Sequence, residues 1–376
     1  ELKSEQFFVT ITTKLNKNII NALINKYDSL SVVSNKLGFS LGSIYSWKKR
    51  RQYPLSHLFK IVNDINYKKI SLNRGIIGIK SGFNFKSNGG GVSSLAYPRF
   101  PIKISKELAR ILAHIFGDGS LSHKPGLATL AYYNKNRTLR KNFKNDIKKV
   151  FGNVRIYENL NKNVNFIKLP STIAWILSTR INTFHSSYCE IPKFITDSNS
   201  VIKKEFLKAF FDDECHVCYS PPNRYIELSI CNQVFINQIK KMLSEFDIET
   251  TKIYVKNQKG YISYYFYIKH FHNLSKFYNS ISFNHPKKLS TLKKILKNHG
   301  RKSYAIGETK IRILSLLKCK NLTSSELMRL LDRERATVNY WLHILEGEQR
   351  IYKIRIKQLK KGREIVWNIK WKNTSL

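Results

Sequence analysis

Two groups of acidic residues stand out because the rest of the chain is strongly basic. Lys and Arg outnumber Asp and Glu by 66 to 25. Asp212, Asp213 and Glu214 directly follow an apolar helical pattern, and a similar pattern runs into Asp118, 96 residues before Glu214. Carboxylates repel one another and the negative end of a helix dipole, so we expect a cationic partner to hold them.

Paired carboxylates of this kind suit metal-assisted hydrolysis. Mg²⁺ prefers carboxylate oxygens, and a cation between two carboxylates and a phosphate can neutralise the charge that develops when water attacks a phosphodiester. The pair would form if the helices that end at Asp118 and Glu214 packed side by side, which requires small residues at their contact. Ala113 and Gly117 on one helix and Ala209 on the other meet that requirement.

Each of these residues also has a simpler interpretation. An Asp followed by Gly, as at Asp118, commonly ends a helix. Asp212 and Asp213 flank Glu214, and we expect them to support the site or to face solvent. Cys215 and Cys218 have a zinc-site spacing, but the chain has no second such pair, so we expect incidental thiols.

The two acidic segments share one nonapeptide pattern. Ile111 to Gly119 and Leu207 to Cys215 each have a small residue in third place and an acid in eighth. Both resemble the nonapeptide of the LAGLIDADG homing endonucleases. The resemblance implies that Asp118 and Glu214 bind a divalent metal, Mg²⁺ or Mn²⁺. Gly117 and Asp213 beside them complete the candidate metal site.

Two residues depart from the motif. Cys215 stands where it usually has Gly, and Asp213 stands where it usually has a small residue. We therefore expect the second half of the site to be distorted, so that activity is less firmly implied than the fold.

The motifs open two units of the same order, which predicts an internal duplication. The resemblance covers about residues 98 to 298 and implies an α+β fold: a duplicated αββαββα core, at 105–199 and 200–298, with saddle-shaped antiparallel sheets. It also implies that polar residues after the first predicted strand of each unit line the reaction centre, namely Asn134, Lys135, Asn232 and Gln233. Lys135 would stabilise the transition state, Gln233 departs from a lysine, and either Asn could instead close a turn.

The remaining segments predict flanking modules. Residues 1–70 resemble a helix-turn-helix domain, with a glycine turn at Gly38 and a basic second helix, although a plain helical hairpin has the same pattern. Residues 71–104 are rich in Gly and Pro and predict a flexible linker. Residues 305–372 combine a capping box at Thr323 and Glu326, a basic helix and two alternating strands, which is typical of a winged helix. A role in protein docking is the alternative for that module.

The charge of the chain points to a polyanionic partner. A net charge of +41 with 42% hydrophobic residues indicates folded, nucleic-acid-binding domains rather than a disordered tail or a salt-adapted surface. The candidate DNA-binding residues are Lys48, Lys49, Arg50, Arg51, Arg224, Tyr225, Glu227, Arg333, Arg335, Lys360, Lys361 and Arg363. Strands of the saddle would read the major groove, while phosphates supply most of the affinity.

Together these features predict a site-specific double-strand DNA endonuclease that uses a divalent metal. We expect a monomer with internal pseudo-two-fold symmetry. The chain has neither a long apolar run nor a charged-then-apolar leader, so we expect a soluble, intracellular protein. A DNA-binding transcription regulator that has lost catalysis, and an RNA splicing maturase that binds intron RNA, are the alternatives.

Overall fold

The computed structural model describes residues 7–67, 72, 74–81, 94–99, 101–124, 127–161, 164–181, 183–258, 260–298, 307–359 and 362–370. The chain divides into two compact units. The larger comprises residues 1–215, 228–266 and 277–286, and the smaller comprises residues 216–227, 267–276 and 287–376. Helices and antiparallel sheets make an α+β fold. In the described ranges no helix is long and apolar enough to cross a membrane.

The N-terminal segment contains four helices and two strands. Its elements are β1 (Phe7–Ile11), α1 (Thr13–Tyr27), α2 (Leu30–Leu37), α3 (Leu41–Arg50), β2 (Gln52–Pro54) and α4 (Leu55–Asp64). Ser29 and Ser40 cap α2 and α3, and Gly38 takes the left-handed conformation, at φ 68°, that ends α2. The strands were not predicted from the sequence, because β2 is very short and the apolar residues of β1 also fit a helix.

The segment predicted to be a flexible linker instead carries strands β3 (Ile76–Ser81) and β4 (Ser94–Pro98). They belong to a five-stranded sheet in the order β2-β1-β3-β4-β7, in which β7 is Gly152–Asn153. Gly75 allows a close approach between chain segments, since a Cβ there would lie 2.2 Å from Leu15 Cδ2. The linker prediction is therefore wrong for residues 76–81 and 94–98.

The first repeat begins with the first motif helix. Its elements are α5 (Lys106–Phe116), β5 (Gly119–Lys124), β6 (Leu127–Tyr133), α6 (Arg137–Phe151), β7, β8 (Tyr157–Leu160), β9 (Asn165–Leu169) and α7 (Ser171–Ser178). Four strands form an antiparallel sheet in the order β5-β6-β9-β8. Leu130, Tyr132 and Ile167 are buried on the face that the helices cover.

The second repeat has the same core order of helix, two sheet strands, helix, two sheet strands and helix. After α8 (Lys193–Thr196), which closes the first repeat, its elements are α9 (Ser200–Glu214), β10 (Cys215–Ser220), β11 (Asn223–Ile230), α10 (Gln233–Ser244), β12 (Tyr254–Gln258), β13 (Tyr261–Ile268) and α11 (Phe271–Ser280), followed by α12 (Pro286–Lys297). Its sheet has the order β10-β11-β13-β12. When the strands of either sheet are numbered along the chain, their spatial order is therefore first, second, fourth, third. This shared order is what an internal duplication produces.

The C-terminal segment packs around its own apolar core. It contains α13 (Glu308–Cys319), β14 (Leu322–Thr323), α14 (Ser324–Leu331), α15 (Arg335–Gly347), β15 (Ile351–Leu359) and β16 (Gly362–Ile369). Its three-stranded sheet has the order β14-β16-β15. The predicted capping box at Thr323 and Glu326 is present, and Leu327, Leu342 and Trp367 are buried in the core.

Candidate active site

The two motif helices pack directly against each other. Helices α5 and α9 are in contact, and Ala113 and Ala209 are fully buried. A Cβ on Gly117, directly after α5, would lie 3.0 Å from the Cβ of Asp213, so a larger residue there would have to displace Asp213 by a few tenths of an ångström. Asp118 and Glu214 stand at the ends of the two helices, each half-buried.

One arginine ties both motif helices to a third helix. The guanidinium of Arg110 donates to both carboxylate oxygens of Asp146 on α6, at 2.8 and 2.7 Å. It also donates to Glu205 on α9. The hydrogen bonds with Asp146 raise the pKa of Arg110. The sequence did not indicate this role of Arg110, because its partners lie 36 and 95 residues away along the chain.

A network of buried polar groups surrounds Asp213, whose side chain is fully buried. Nδ1 of His114 lies 2.7 Å from Oδ2 of Asp213, and the hydroxyl of Tyr132 donates to Oδ1 at 2.9 Å. Burial lowers the pKa of His114 and the Asp213 carboxylate raises it, with a raised pKa as the result. The side chain that faces Asp213 of the acidic cluster is thus a histidine from the first motif.

Asn134 connects this network to Asp118. Its amide nitrogen donates to Oδ2 of Asp118 at 2.8 Å and to Oδ1 of Asp213 at 3.1 Å. Its own oxygen accepts from the backbone N–H of Asn136 at 2.8 Å. With both ends of its amide engaged, Asn134 fixes the orientation of the Asp118 carboxylate.

Asp212 stabilises the start of another helix. Its carboxylate accepts from the backbone N–H groups of Asn284 and His285, directly before α12. Anions at a helix N-terminus are favourable, but burial dominates and raises the pKa of Asp212 to about 6. Asp212 is only 1% exposed, so it supports the fold rather than facing solvent.

The raised pKa of Asp212 makes stability depend on pH. The folded protein retains this proton to about pH 6, whereas an unfolded chain loses it near pH 4. Raising the pH through that window therefore destabilises the fold through Asp212. Relative to Asp212→Asn, the wild type should lose on the order of 1–3 kcal/mol between pH 4.5 and 7.5. Urea unfolding of both proteins at the two pH values checks this, and parallel pH curves would contradict it.

The polar residues that were placed after the first predicted strand of each repeat follow β6 and β11 in the structure. They have different roles in the two repeats. Asn232 is 2% exposed, caps α10 through Phe235 N–H and donates to the carbonyl of Cys189 at 2.7 Å. Its counterpart is therefore Asn136, which caps α6, and pairing it with Asn134 was wrong. The mismatch arises because three residues separate β6 from α6 and two separate β11 from α10. Lys135 and Gln233 are exposed.

A cavity of about 250 Å³ adjoins the second acid. It is lined by Glu214, Gly117 and Asn232, with Cys189, Cys231 and aromatic side chains around them. The described part of the chain contains no group of three or more His, Cys, Asp or Glu side chains that could hold a metal ion.

The candidate DNA-binding residues differ in exposure. Lys48, Lys49 and Arg50 are exposed at the end of α3, and Arg51 donates to the Thr13 hydroxyl at 2.7 Å. Arg363 is exposed near the β15–β16 turn, while Lys360 and Lys361 lie outside the described residues.

The other candidates are partly covered by neighbouring side chains. The guanidinium of Arg335 donates hydrogen bonds to Glu364 and Ser325, and its side chain is 58% exposed. Tyr225 packs against Tyr267. Glu227 and Arg333 are half-buried.

Arg224 does not have the exposure expected of a DNA contact. Its guanidinium donates to both oxygens of Asp332, at 2.9 and 2.7 Å, and its side chain is 7% exposed. This expectation from the sequence was wrong, because a basic residue on a strand can equally be a buried ion-pair partner within the smaller unit.

Removing one member of the Arg224 pair should be costly. Arg224→Met leaves the mostly buried Asp332 carboxylate without its bidentate donor, and we expect a loss of about 2–3 kcal/mol. The double variant Arg224→Met/Asp332→Leu should recover part of that loss. Chemical denaturation of the three proteins tests the coupling, and equal losses for single and double variants would contradict it.

Comparison with known proteins gives the following similarities. Residues 202–282 match the family model of the LAGLIDADG-like domain. The chain is 28% identical over 206 residues to the replication factor C small subunit of Thermococcus kodakarensis, which covers 54% of this chain and 23% of that protein. The chain therefore spans less than a quarter of the length of this curated relative.

Two solved structures are among those to which the chain is similar. I-DmoI, solved in complex with DNA and Mn, is 17% identical with a TM-score of 0.37, over 48% of this chain and 97% of I-DmoI. Full-length DUF199/WhiA from Thermatoga maritima is 13% identical with a TM-score of 0.37, over 65% of this chain and 92% of WhiA. The matched segment runs from the second motif helix to the end of α11. The family match thus identifies a LAGLIDADG-like domain within this chain, at residues 202–282.

Proposed function

We propose that this protein is a site-specific double-strand DNA endonuclease that depends on a divalent metal. The observation that carries the proposal is the packing of α5 against α9 through Gly117 and Asp213. This packing places one motif acid at the end of each helix, and Asn134 holds the first of them. A duplex has two strands to cut, which suits two acids from duplicated units.

The donor set suits a hard divalent cation. Asp118 and Glu214 would hold Mg²⁺ or Mn²⁺ through carboxylate oxygens, the ligand type these ions prefer. Phosphate oxygens of DNA would supply further ligands. When bound, the ion neutralises charge on the phosphate and lowers the pKa of water.

The surrounding residues have distinct proposed roles. Asn134 orients Asp118. Asp213 accepts from Asn134 and is itself held by the buried His114 and Tyr132. Lys135 is exposed beside Asn134, and we assign it the stabilisation of developing phosphate charge. With Asn136 aligned to Asn232, the position of Lys135 is held by Cys231 in the second repeat, so the two halves are chemically unequal there and Gln233 is not the counterpart of Lys135.

The net charge of +41 supplies affinity for the duplex. We retain residues 1–70 as a helix-turn-helix domain and 305–372 as a winged-helix-like domain within this proposal. Magnesium is the expected ion, and a monomer is the expected state.

Asn134 should increase the rate of cleavage without being essential for cleavage. Asn134→Ala removes the donor to Asp118, and groups that orient a metal ligand typically contribute 10- to 100-fold, so we expect a loss of about 10- to 100-fold in cleavage rate. Single-turnover kinetics on a selected duplex measures this. Asn298→Ala is the matched control because Asn298 is exposed on α12's C-terminal side, and a loss as large as that of Asn134→Ala would contradict the assignment.

Cleavage of a randomised duplex library tests the function itself. The intact protein with Mg²⁺ should enrich defined double-strand ends, and EDTA should remove them. The variants Asp118→Asn and Glu214→Gln should bind the same sequences without cutting. Binding of the same sequences by all three proteins with no cutting by any of them would refute the endonuclease proposal.

A DNA-binding regulator is the second candidate, and Asp213 favours it. This acid occupies a motif position that usually holds a small residue, and it is fully committed to a buried network. An acid that is held in a buried hydrogen-bond network can contribute to stability rather than to catalysis. Tight binding of duplex DNA without cleavage would support this candidate, and preference for structured intron RNA would instead identify a splicing maturase.

A further inference from the structure

The N-terminal segment is joined to the first repeat by hydrogen-bonded strands as well as by the chain itself. Strand β1 pairs with β3, with Val9 opposite Ile79. Strand β3 pairs with β4, with Gly78 opposite Ala96. Strand β4 then pairs with β7, with Pro98 opposite Gly152. Because β7 directly follows α6 of the first repeat, one antiparallel sheet runs from the N-terminal helices to the endonuclease-like core.

Side chains reinforce both ends of this sheet. Ile76 and Ile79 are buried, at 8% and 3% exposure, and α7 of the first repeat packs on β3 and β4. Backbone and guanidinium groups of Arg99 donate to the carbonyls of Phe151 and Lys149 at the end of α6. Helix α6 is in turn bound to the motif helix α5 by the Arg110–Asp146 pair.

Helix α3 is fixed to the same frame. The buried Asn16 side chain donates to the carbonyl of Lys48 at 2.9 Å and accepts from the hydroxyl of Tyr53 on β2 at 2.5 Å. The ring of Trp47 packs on Tyr53, and β2 pairs with β1. The polar side of α3 remains outside this packing, with Lys48, Lys49 and Arg50 exposed.

We propose that α3 contacts duplex DNA at one fixed distance and rotational setting from the motif acids, so that the outer contact specifies spacing as well as affinity. The sheet gives the reason, because hydrogen-bonded strands cannot extend or rotate as a disordered tether does. One inserted base pair moves the outer contact about 3.4 Å along the duplex and turns it by about a tenth of a helical turn. The inference rests on DNA binding, but it does not depend on cleavage.

The test is a spacing series measured by equilibrium binding. A duplex selected by binding in EDTA is footprinted with hydroxyl radicals, and the part protected by α3 is identified as the part lost with Lys48→Gln/Lys49→Gln. One, five or ten base pairs are then inserted between that part and the core site. Lys14→Gln/Lys17→Gln is the matched control, because both lysines are exposed on α1 and the charge change is the same.

A fixed arrangement predicts that every insertion reduces wild-type affinity to the level of Lys48→Gln/Lys49→Gln on the original duplex. That variant should also lower the salt slope by about 2 on the original duplex and leave it unchanged on the inserted ones. Retention of full affinity across the insertions would show a flexible tether and overturn the proposal. An unchanged footprint in Lys48→Gln/Lys49→Gln would overturn it as well. Absence of cleavage would refute the proposed function without affecting either result.

Discussion

Asp118→Asn is expected to reduce the rate of strand cleavage by about 10³-fold or more, because a metal ion contributes several kcal/mol to the transition state. Asn cannot supply the negative charge that holds a divalent cation. It can still accept a hydrogen bond from Asn134, which donates to Asp118 in the native protein, so the fold around the site should persist. Binding of the selected duplex should therefore stay within about threefold of wild type.

The measurement is single-turnover cleavage at saturating protein, with dissociation constants measured in parallel. Glu190→Gln is the matched control, since Glu190 is an exposed acid of the first repeat and the charge change is identical. Cleavage by Asp118→Asn at a rate near that of the control would remove Asp118 from the proposed site. A parallel loss of binding would indicate a structural role.

Arg110→Met is expected to destabilise the protein by about 3–5 kcal/mol. The substitution leaves Asp146 and Glu205 without their shared cation, and the side chain of Asp146 is only 5% exposed. Burying an unpaired carboxylate costs far more than the loss of a surface ion pair. Since Arg110 joins α5, α6 and α9, the motif helices should separate first as denaturant is added.

Arg312→Met supplies the comparison for Arg110. Arg312 pairs with Glu308 four residues away on α13, and its side chain is 47% exposed, so we expect a change within about 0.5 kcal/mol. Chemical denaturation followed by far-ultraviolet circular dichroism measures both variants. Similar losses for the two arginines would show that the buried cluster contributes no more than a surface pair.

The sequence predicted local structure well where short-range chemistry decides it. The capping box of Thr323 and Glu326 appears as predicted. Ala113, Gly117 and Ala209 were expected at a helix contact because they are small. Ala113 and Ala209 are fully buried, and Gly117 lies close to Asp213 of α9. In each case neighbours along the chain or a single steric requirement determine the outcome.

Partners distant in sequence account for most of what could not be predicted. Nothing near His114 in the sequence indicates that it faces Asp213, 99 residues away, and Arg110 gave no sign of its two acids. Arg224 was predicted to contact DNA, whereas in the structure it forms an ion pair with Asp332. Gly75 suggested a flexible linker, whereas a Cβ there would lie 2.2 Å from Leu15 Cδ2 of α1. Asn232 was paired with Asn134 because the sequence alone does not show that the loop between β6 and α6 is one residue longer than the loop between β11 and α10.

The measurement that tests the central claim most directly is strand-resolved mapping of the ends produced from the selected duplex. Both strands are labelled, incubated with the intact protein in Mg²⁺ or in EDTA, and resolved at single-nucleotide resolution. Paired acids at the ends of α5 and α9 predict one defined cut in each strand, present with Mg²⁺ and absent with EDTA. Intact strands under conditions in which the protein protects the same sequence from hydroxyl radicals would contradict the endonuclease and leave a DNA-binding protein built on this fold.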